Sequence, residues 1–278
     1  MKIINNIDKL NNIIKLSANA LGGEKTIKNL QTLKLYGYAQ YAYMFAGGNI
    51  SSSSDAPQKL IAANELQRIW DFQNDGFQMK ERRNMLFPFA AEFGHSYFPL
   101  NQILIRDIAY NKLPDCTSIR VGEFLEDPLT VDGIRIRKLW SLTNPITMLN
   151  ALLNQRAKAS NLRTENELHI MDVFVDENVE LIFAINNKTN FPQYVKWYTS
   201  QTNLGEINFT TTFTGYMPFN GIKLPMGYNT KIDFRDTMYF RMYVDGYKVN
   251  ENVETLEPPK NIINEIVPAE QPLIPIEV

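Results

Sequence analysis

The sequence is poor in the residues from which catalytic centres are commonly built. Among 278 residues there are two histidines, His95 and His169, and one cysteine, Cys116. Neither histidine has a second one at the spacing of HxH or HExxH, and catalytic zinc usually takes three protein ligands. A lone cysteine has no partner for an intrachain disulfide or a CxxC redox motif. The sequence therefore predicts no catalytic residue, no metal site and no cofactor in this chain, and whether the protein is an enzyme stays open.

An excess of positive charge and long apolar runs are also lacking. The 28 lysines and arginines stand against 30 acidic residues, so the net charge of -2 gives no attraction for nucleic acid. The motifs GxSxG, GxGxxG and GxxxxGK[ST] do not occur. No run is long and apolar enough for a membrane helix, and the amino-terminal stretch MKIINNIDKLNN has no signal-peptide core. We expect no nucleic-acid partner and no transmembrane segment.

Two stretches have the three-and-four apolar spacing of a helix. The first covers Ile7 to Leu21 and is followed by two glycines that end it. The second begins at Asn144 and Pro145, a favourable first turn, and is predicted to continue to Ala159. A short helical turn is also predicted around Glu24 to Leu30.

Most of the remaining chain has the alternation of β-strands, broken by hairpin signals such as Asp75–Gly76 and Asn220–Gly221. Regular hairpin spacing predicts an antiparallel meander, with strands at Thr32–Tyr43, Glu65–Phe72, Gly76–Phe87, Ile103–Asn111, Leu168–Val175, Val179–Ile185, Tyr194–Tyr198, Ile207–Tyr216, Ile222–Leu224, Tyr228–Phe234 and Met238–Val249. The predicted fold is mainly β (α+β). It is a curved antiparallel sheet, half-barrel-like, with an N-terminal helix and a second helix covering the concave face.

We divide the chain into one half-barrel-like domain, residues 1–250, and a proline-rich linker or tail, residues 251–278. Proline is dense in this tail and hinders sheet pairing. Because the tail is also rich in isoleucine, we expect it to dock on its own domain or on a neighbour.

A strongly curved sheet that one helix cannot fill leaves an apolar cavity, which is the usual form of a small-molecule site. The alternative for any single aromatic residue is an ordinary place in the core. The candidate lining residues are large apolar side chains of the strands and the second helix: Trp70, Phe72, Phe87, Phe89, Phe93, Trp140, Leu149, Leu153, Tyr194, Trp197, Phe213 and Tyr216.

Several segments resemble one family. They are IRKLWSLTNPITMLNALLN, ASNLRT, FPQYVKW and above all NLGEINFTTTFTGYMPFNGIKLPMGYNTKIDFRD, which includes Phe213–Tyr216, Gly221, Leu224–Pro225 and Asp233–Arg235. They are similar to the region amino-terminal to the catalytic domain of bacterial metallo-β-lactamase-fold hydrolases. In that family an HxHxDH metal motif follows the linker, and this chain has none. The resemblance thus implies a hydrolase activity, with zinc or another divalent metal, only for a longer parent protein. It also implies a periplasmic or exported location.

A weaker, fold-level similarity links the helix-plus-curved-sheet pattern to the half-barrel of periplasmic lipoprotein carriers. We interpret the chain as a non-catalytic accessory domain that binds an apolar ligand or positions substrate for a missing catalytic domain or second subunit. The alternative is a freestanding carrier of lipid or another hydrophobic molecule. Two further alternatives are a metal-free enzyme using His95 with a carboxylate such as Glu92, and a domain that dimerises through a sheet edge.

Overall fold

Two meandering runs of antiparallel strands join along one seam to form a single sheet. The computed structural model describes residues 6–43, 59–85, 97–121, 133–176, 179–201, 205–234 and 236–264. Within them lies a 13-stranded sheet with the order β6-β5-β4-β3-β2-β1-β13-β12-β11-β10-β9-β8-β7. All paired strands are antiparallel, and β1 with β13 forms the seam. The predicted fold class, a mainly β protein with a curved antiparallel sheet, is confirmed.

The strand bounds are as follows: β1 Thr32–Ala42, β2 Leu60–Asp71, β3 Gly76–Met85, β4 Tyr97–Ile105, β5 Ile108–Lys112, β6 Ser118–Arg120, β7 Lys158–Glu165, β8 Leu168–Asp176, β9 Val179–Asn186, β10 Pro192–Gln201, β11 Gly205–Phe219, β12 Ile222–Ile232 and β13 Thr237–Val249. The helices are α1 Asn6–Leu21, α2 Glu24–Lys28, α3 Ile134–Ser141, α4 Pro145–Leu153 and α5 Lys260–Asn264.

The seam depends on a glycine. Gly37 lies at a bulge of β1, where the register shifts against both β13 and β2. A Cβ atom at this position would lie 2.1 Å from the backbone oxygen of Tyr243. The two halves of the sheet can therefore approach this closely only because residue 37 is a glycine and has no side chain.

Helix α3 was not predicted, and it contacts strands on both sides of the seam. It contacts β4 and β5 on one side of the seam and β9 on the other. The fully buried guanidinium of Arg137 donates to the backbone oxygens of Ile103 and Tyr110, at 2.6 and 2.8 Å. On the other side, Arg135 donates to the backbone oxygen of Tyr198 at 2.8 Å. One short helix can contact both halves of the sheet only because the sheet curves around it.

Helix α4 begins where the sequence predicted but ends earlier. The side chain of Asn144 caps it, accepting from the backbone N–H of Ile146 at 2.9 Å. The predicted continuation to Ala159 is wrong. The chain leaves the helix in a Schellman turn, with Gln155 at a φ of 59° and the N–H of Arg156 donating to the oxygen of Ala151 at 2.9 Å. Strand β7 starts directly afterwards.

Two other strand predictions need correction. The run Ile103 to Asn111 is not one strand but parts of β4 and β5, joined by a tight turn at Arg106 and Asp107 that has no glycine signal. The predicted break at Met226 and Gly227 is absent, because β12 runs through it. A Cβ on Gly227 would lie 2.5 Å from the Thr214 hydroxyl oxygen, so this glycine permits a close cross-strand approach rather than a turn.

Both hairpin signals are confirmed. Asn220 and Gly221 join β11 to β12 with φ values of 47° and 81°, the left-handed pair of a two-residue turn. The turn ending at Asp75 joins β2 to β3.

The segment after β13 lies against β4, β5 and β6. Leu256 and Ile262 are buried in a small second core with Ile103, Ile105 and Tyr110. The Tyr110 hydroxyl donates to the backbone oxygen of Leu256 at 3.0 Å. Residues 251–264 are thus packed on their own domain.

Candidate functional site

The concave face of the sheet is covered at its centre by the turn between α3 and α4. The indole Nε1 of Trp70, on β2, donates to the backbone oxygen of Ser141 at 2.9 Å. The same oxygen accepts from the hydroxyl of Thr147 at 2.6 Å. Arg68 precedes Trp70 by two residues on the same face of β2, and Phe72 follows it by two. Cavities lie on both sides of Trp70, one toward Arg68 and one toward Phe72.

The arginine cavity, named for Arg68 and Arg83 in its wall, has a volume of about 90 Å³. All three tryptophans of the chain, Trp70, Trp140 and Trp197, line it. The rest of the wall comprises Tyr41, Met79, Thr143, Asn144, Thr211, Tyr228, Thr230, Tyr239, Phe240 and Met242. The cavity therefore combines a wall rich in aromatic side chains with two guanidinium groups.

A buried ion cluster holds these guanidiniums. Arg68 donates to one carboxylate oxygen of Glu81 at 2.7 Å, and Arg83 donates to the other at 2.6 Å. The Tyr41 hydroxyl donates to Glu81 at 3.1 Å, and the Arg83 guanidinium lies 4.2 Å from the centre of the Tyr41 ring. The Glu81 side chain is wholly buried, and the arginine side chains are 8% and 9% exposed. Glu81 is thus the anchor that orients both arginines.

The electrostatics of the cluster fix its charges at neutral pH. Burial alone would raise the pKa of the Glu81 carboxyl, but the charges of Arg83 and Arg68 and their hydrogen bonds outweigh it and lower the pKa to about 2. Burial, together with the negative charge of Glu81, raises the pKa of the Tyr41 hydroxyl. At neutral pH the wall therefore contains two positively charged guanidinium groups, those of Arg68 and Arg83, and the neutral phenol of Tyr41.

A chain of hydrogen bonds fixes the other side of the arginine cavity. The Asn144 side-chain amide donates to the Tyr228 hydroxyl at 2.8 Å, which lies 2.8 Å from the Tyr247 hydroxyl. Since Tyr247 donates its one proton to the oxygen of Pro225 at 2.6 Å, Tyr228 must donate to Tyr247. Burial raises the pKa of both tyrosines, so both stay protonated. The first turn of α4 is thereby held on β12 and β13.

The hairpin cavity lies at the end of the sheet where β2 turns into β3, and its volume is about 450 Å³. Its apolar wall contains Trp70, Phe72, Phe77, Leu104, Leu142, Ala151 and Val175. Two ion pairs stand among its lining residues, Lys138 with Asp107 at 2.8 Å and Arg156 with Asp75 at 2.9 Å. Their carboxylates are largely exposed, so each pair contributes at most about 1 kcal/mol.

The residues predicted to line a ligand site divide into three groups. Trp70, Trp197 and Trp140 line the arginine cavity, and Phe72 lines the hairpin cavity. Leu149, Leu153, Phe213, Tyr216 and Tyr194 lie outside both walls. Leu149 is a fully buried residue of α4, and Tyr216 packs on Phe191 and donates to the oxygen of Pro192 at 2.9 Å. Phe87, Phe89 and Phe93 lie outside the described residues, as do Glu92 and His95.

The sequence analysis missed the ion cluster of Tyr41, Arg68, Glu81 and Arg83. A signal for it existed on β3, where the alternation that buries Phe77 and Met79 continues through Glu81 and Arg83. Charged side chains in a row of core positions indicate a paired internal cluster.

Within the part of the chain that the structure describes, no three histidine, cysteine or acidic side chains cluster so as to hold a metal ion. The same residues include no helix with the length and apolar character needed to cross a bilayer.

No family model and no curated protein matches the sequence. Solved structures that are similar to the chain in fold include the following three. A LolA superfamily protein from Nitrosomonas europaea has a TM-score of 0.47 at 8% identity, covering 87% of this chain and 94% of its own. A DUF1329 family protein from Desulfovibrio piger has a TM-score of 0.43 at 7% identity over 88% and 94%. LprF from Mycobacterium bovis has a TM-score of 0.29 at 10% identity over 89% and 98%. At these values the likenesses do not indicate a function.

Proposed function

We propose that this protein binds an apolar or amphipathic small molecule, of the lipid type, between its curved sheet and the turn joining α3 to α4. The observation that carries the proposal is the pair of cavities on the two sides of Trp70. This is the freestanding carrier that the sequence analysis held as its alternative.

The size of the space supports binding. Small-molecule sites have volumes of roughly 300 to 1,000 Å³, and the hairpin cavity, at about 450 Å³, falls in this range. Its wall joins apolar side chains to charged ones that reach solvent, which suits an amphipathic ligand.

The covering elements support exchange of a ligand with solvent. The α3–α4 turn is fixed to the sheet at Trp70 by one hydrogen bond, and the hairpin cavity has exposed ion pairs in its wall. The exposed ion pairs are individually weak, so a ligand can enter the hairpin cavity past them while Arg137 and Asn144 hold α3 and α4 on the sheet. A carrier must both enclose its cargo and release it.

The accessory-domain interpretation has no support from the family or curated-protein comparisons. A missing catalytic domain, its zinc, the absence of a cofactor in this chain and an exported location all stay predictions.

The test is a titration with a fluorescent fatty acid, followed by competition with an unlabelled one. A carrier shows saturable binding that the competitor reverses. The variant Val175→Tyr enlarges a side chain in the hairpin cavity wall and should weaken binding at least about tenfold. The matched control is Phe174→Tyr, since the neighbouring Phe174 is 39% exposed and lies outside the wall. No saturable binding to the wild-type protein would contradict the proposal.

A further inference from the structure

We infer that the arginine cavity binds a carboxylate, so that the ligand is an anionic amphiphile of the fatty-acid type rather than an uncharged lipid. This inference rests on the proposed function and adds the chemical class of the headgroup and the residues that bind it. The juxtaposition that carries it is an indole N–H that has no acceptor among the described residues and two guanidinium groups, all in the wall of one cavity.

The first observation concerns Trp197. Its side chain is 5% exposed, and its Nε1 has no hydrogen-bond partner among the described residues. The ring stacks on Phe209 with centroids 4.3 Å apart and planes 8° apart, and Phe209 packs edge-on against Tyr239. A buried donor without an acceptor costs free energy, and indole N–H groups in folded proteins usually find a partner. A ligand acceptor in the cavity that Trp197 lines would supply the missing bond.

The second observation concerns the arginines. Arg68 and Arg83 line the same cavity as Trp197, whereas Glu81, which holds them both, is not part of the wall. Glu81 therefore binds both guanidiniums from outside the wall, and the three charges leave one net positive charge beside the cavity. A rigid guanidinium in a low-dielectric site binds carboxylate strongly, because planar N–H groups match the two oxygens and the charges attract. The indole N–H and the guanidinium N–H groups both favour an acceptor with negative charge.

The third observation is size. A volume of about 90 Å³ admits a carboxylate and a few methylene groups but not a bulky phospholipid headgroup. The aromatic wall around Trp70 and Trp140 would pack against the first methylene groups. Trp70 lines both cavities, so we place the rest of an alkyl chain in the larger hairpin cavity on its other side.

The test compares two ligands that differ only in the headgroup. Dodecanoate and dodecan-1-ol each compete with an uncharged fluorescent probe, N-phenyl-1-naphthylamine, on the full chain at neutral pH. We expect dodecanoate to compete at least about tenfold better, the ratio for one charged hydrogen bond. In Trp197→Phe this preference should fall by about fivefold or more, because a charged acceptor gains more from the indole N–H than a hydroxyl does. The control is Tyr198→Phe, which alters an exposed residue of the same strand.

The outcomes separate the two claims. If neither ligand displaces the probe, the proposed function fails and this inference fails with it. If both displace it equally well, the carrier stands and the carboxylate site is overturned. If Trp197→Phe keeps the full preference for dodecanoate, the assignment of Trp197 is overturned. Urea unfolding of the variant without ligand should show no loss of stability from hydrogen bonding, since the indole N–H makes no bond within the described residues.

Discussion

The indole N–H of Trp70 donates to the backbone oxygen of Ser141 at 2.9 Å, which ties the centre of the sheet to the turn that covers it. Trp197, equally buried at 5% exposure, makes no such bond. The two tryptophans line one cavity and differ in this single respect.

This difference predicts unequal effects of the same substitution. Trp70→Phe should lower the free energy of unfolding by about 1 to 2 kcal/mol more than Trp197→Phe does, because only the first removes a hydrogen bond and leaves a buried carbonyl with one donor fewer. Urea denaturation of the two variants measures this directly. Equal losses would contradict the role of Trp70 in fixing the turn.

The buried ion cluster predicts a large effect at Glu81. Glu81→Gln removes the negative charge between Arg68 and Arg83 and should cost about 3 to 5 kcal/mol, since it leaves buried guanidiniums without their carboxylate. The control is Glu65→Gln, because the Glu65–Arg82 pair joins the same two strands but is exposed and should contribute less than about 1 kcal/mol.

If Glu81→Gln fails to fold, the double variant Arg68→Met with Glu81→Gln tests whether the unpaired buried charge is the cause. Removing a charge of each sign should recover part of the lost stability, measured by urea denaturation. Similar stabilities for Glu81→Gln and Glu65→Gln would show that the cluster contributes no more than a surface pair.

Acid should destabilise the protein by protonating the Glu81 carboxylate. The pKa of Glu81 is lowered from 4.5 to about 2, so its contribution to stability is complete above pH 4.5 and is lost as the pH falls toward 2. Carbon-13 NMR of the glutamate carboxyls should show one group, Glu81, that titrates near pH 2. A protein in which every glutamate titrates above about pH 3.5 would rule out this electrostatic account.

The seam between the two halves of the sheet predicts a strong effect at Gly37. In Gly37→Ala the new Cβ meets the Tyr243 oxygen at 2.1 Å, so we expect a loss of more than about 2 kcal/mol. Gly205→Ala is the control, because nothing lies within 4 Å of its Cβ and only its φ of +71° costs energy, about 1 kcal/mol. Thermal and urea unfolding measure the loss of unfolding free energy in both variants. Equal losses would mean that the seam tolerates a side chain at residue 37.

Much of the sheet could be predicted from the sequence, because alternation and turn chemistry act locally. Asn220–Gly221 and the turn ending at Asp75 are hairpins for reasons that are visible in a few residues. The hairpin at Arg106 and Asp107 could not be predicted in this way, since the residue with positive φ in its turn is Arg106, and arginine is not enriched there.

The ion cluster depends on register. Glu81 of β3 lies opposite an irregular stretch of β2 between Asn64 and Gln67, where Glu65 has a φ of 54°. This shift places Glu81 within reach of Arg68 and Tyr41, and nothing in the sequence of either strand alone specifies it. Helix α3 was missed for a related reason, because its buried Arg137 is a charged residue at a core position.

The most direct test of the central claim uses the tryptophans themselves. All three line the arginine cavity, so a ligand bound there lies close to every indole in the chain. Dodecanoic acid carrying a terminal bromine atom, a contact quencher, should reduce tryptophan emission to a saturating limit, and unbrominated dodecanoate should restore it. Quenching that rises linearly without saturation, and that dodecanoate does not reverse, would show that the concave face is not a ligand site.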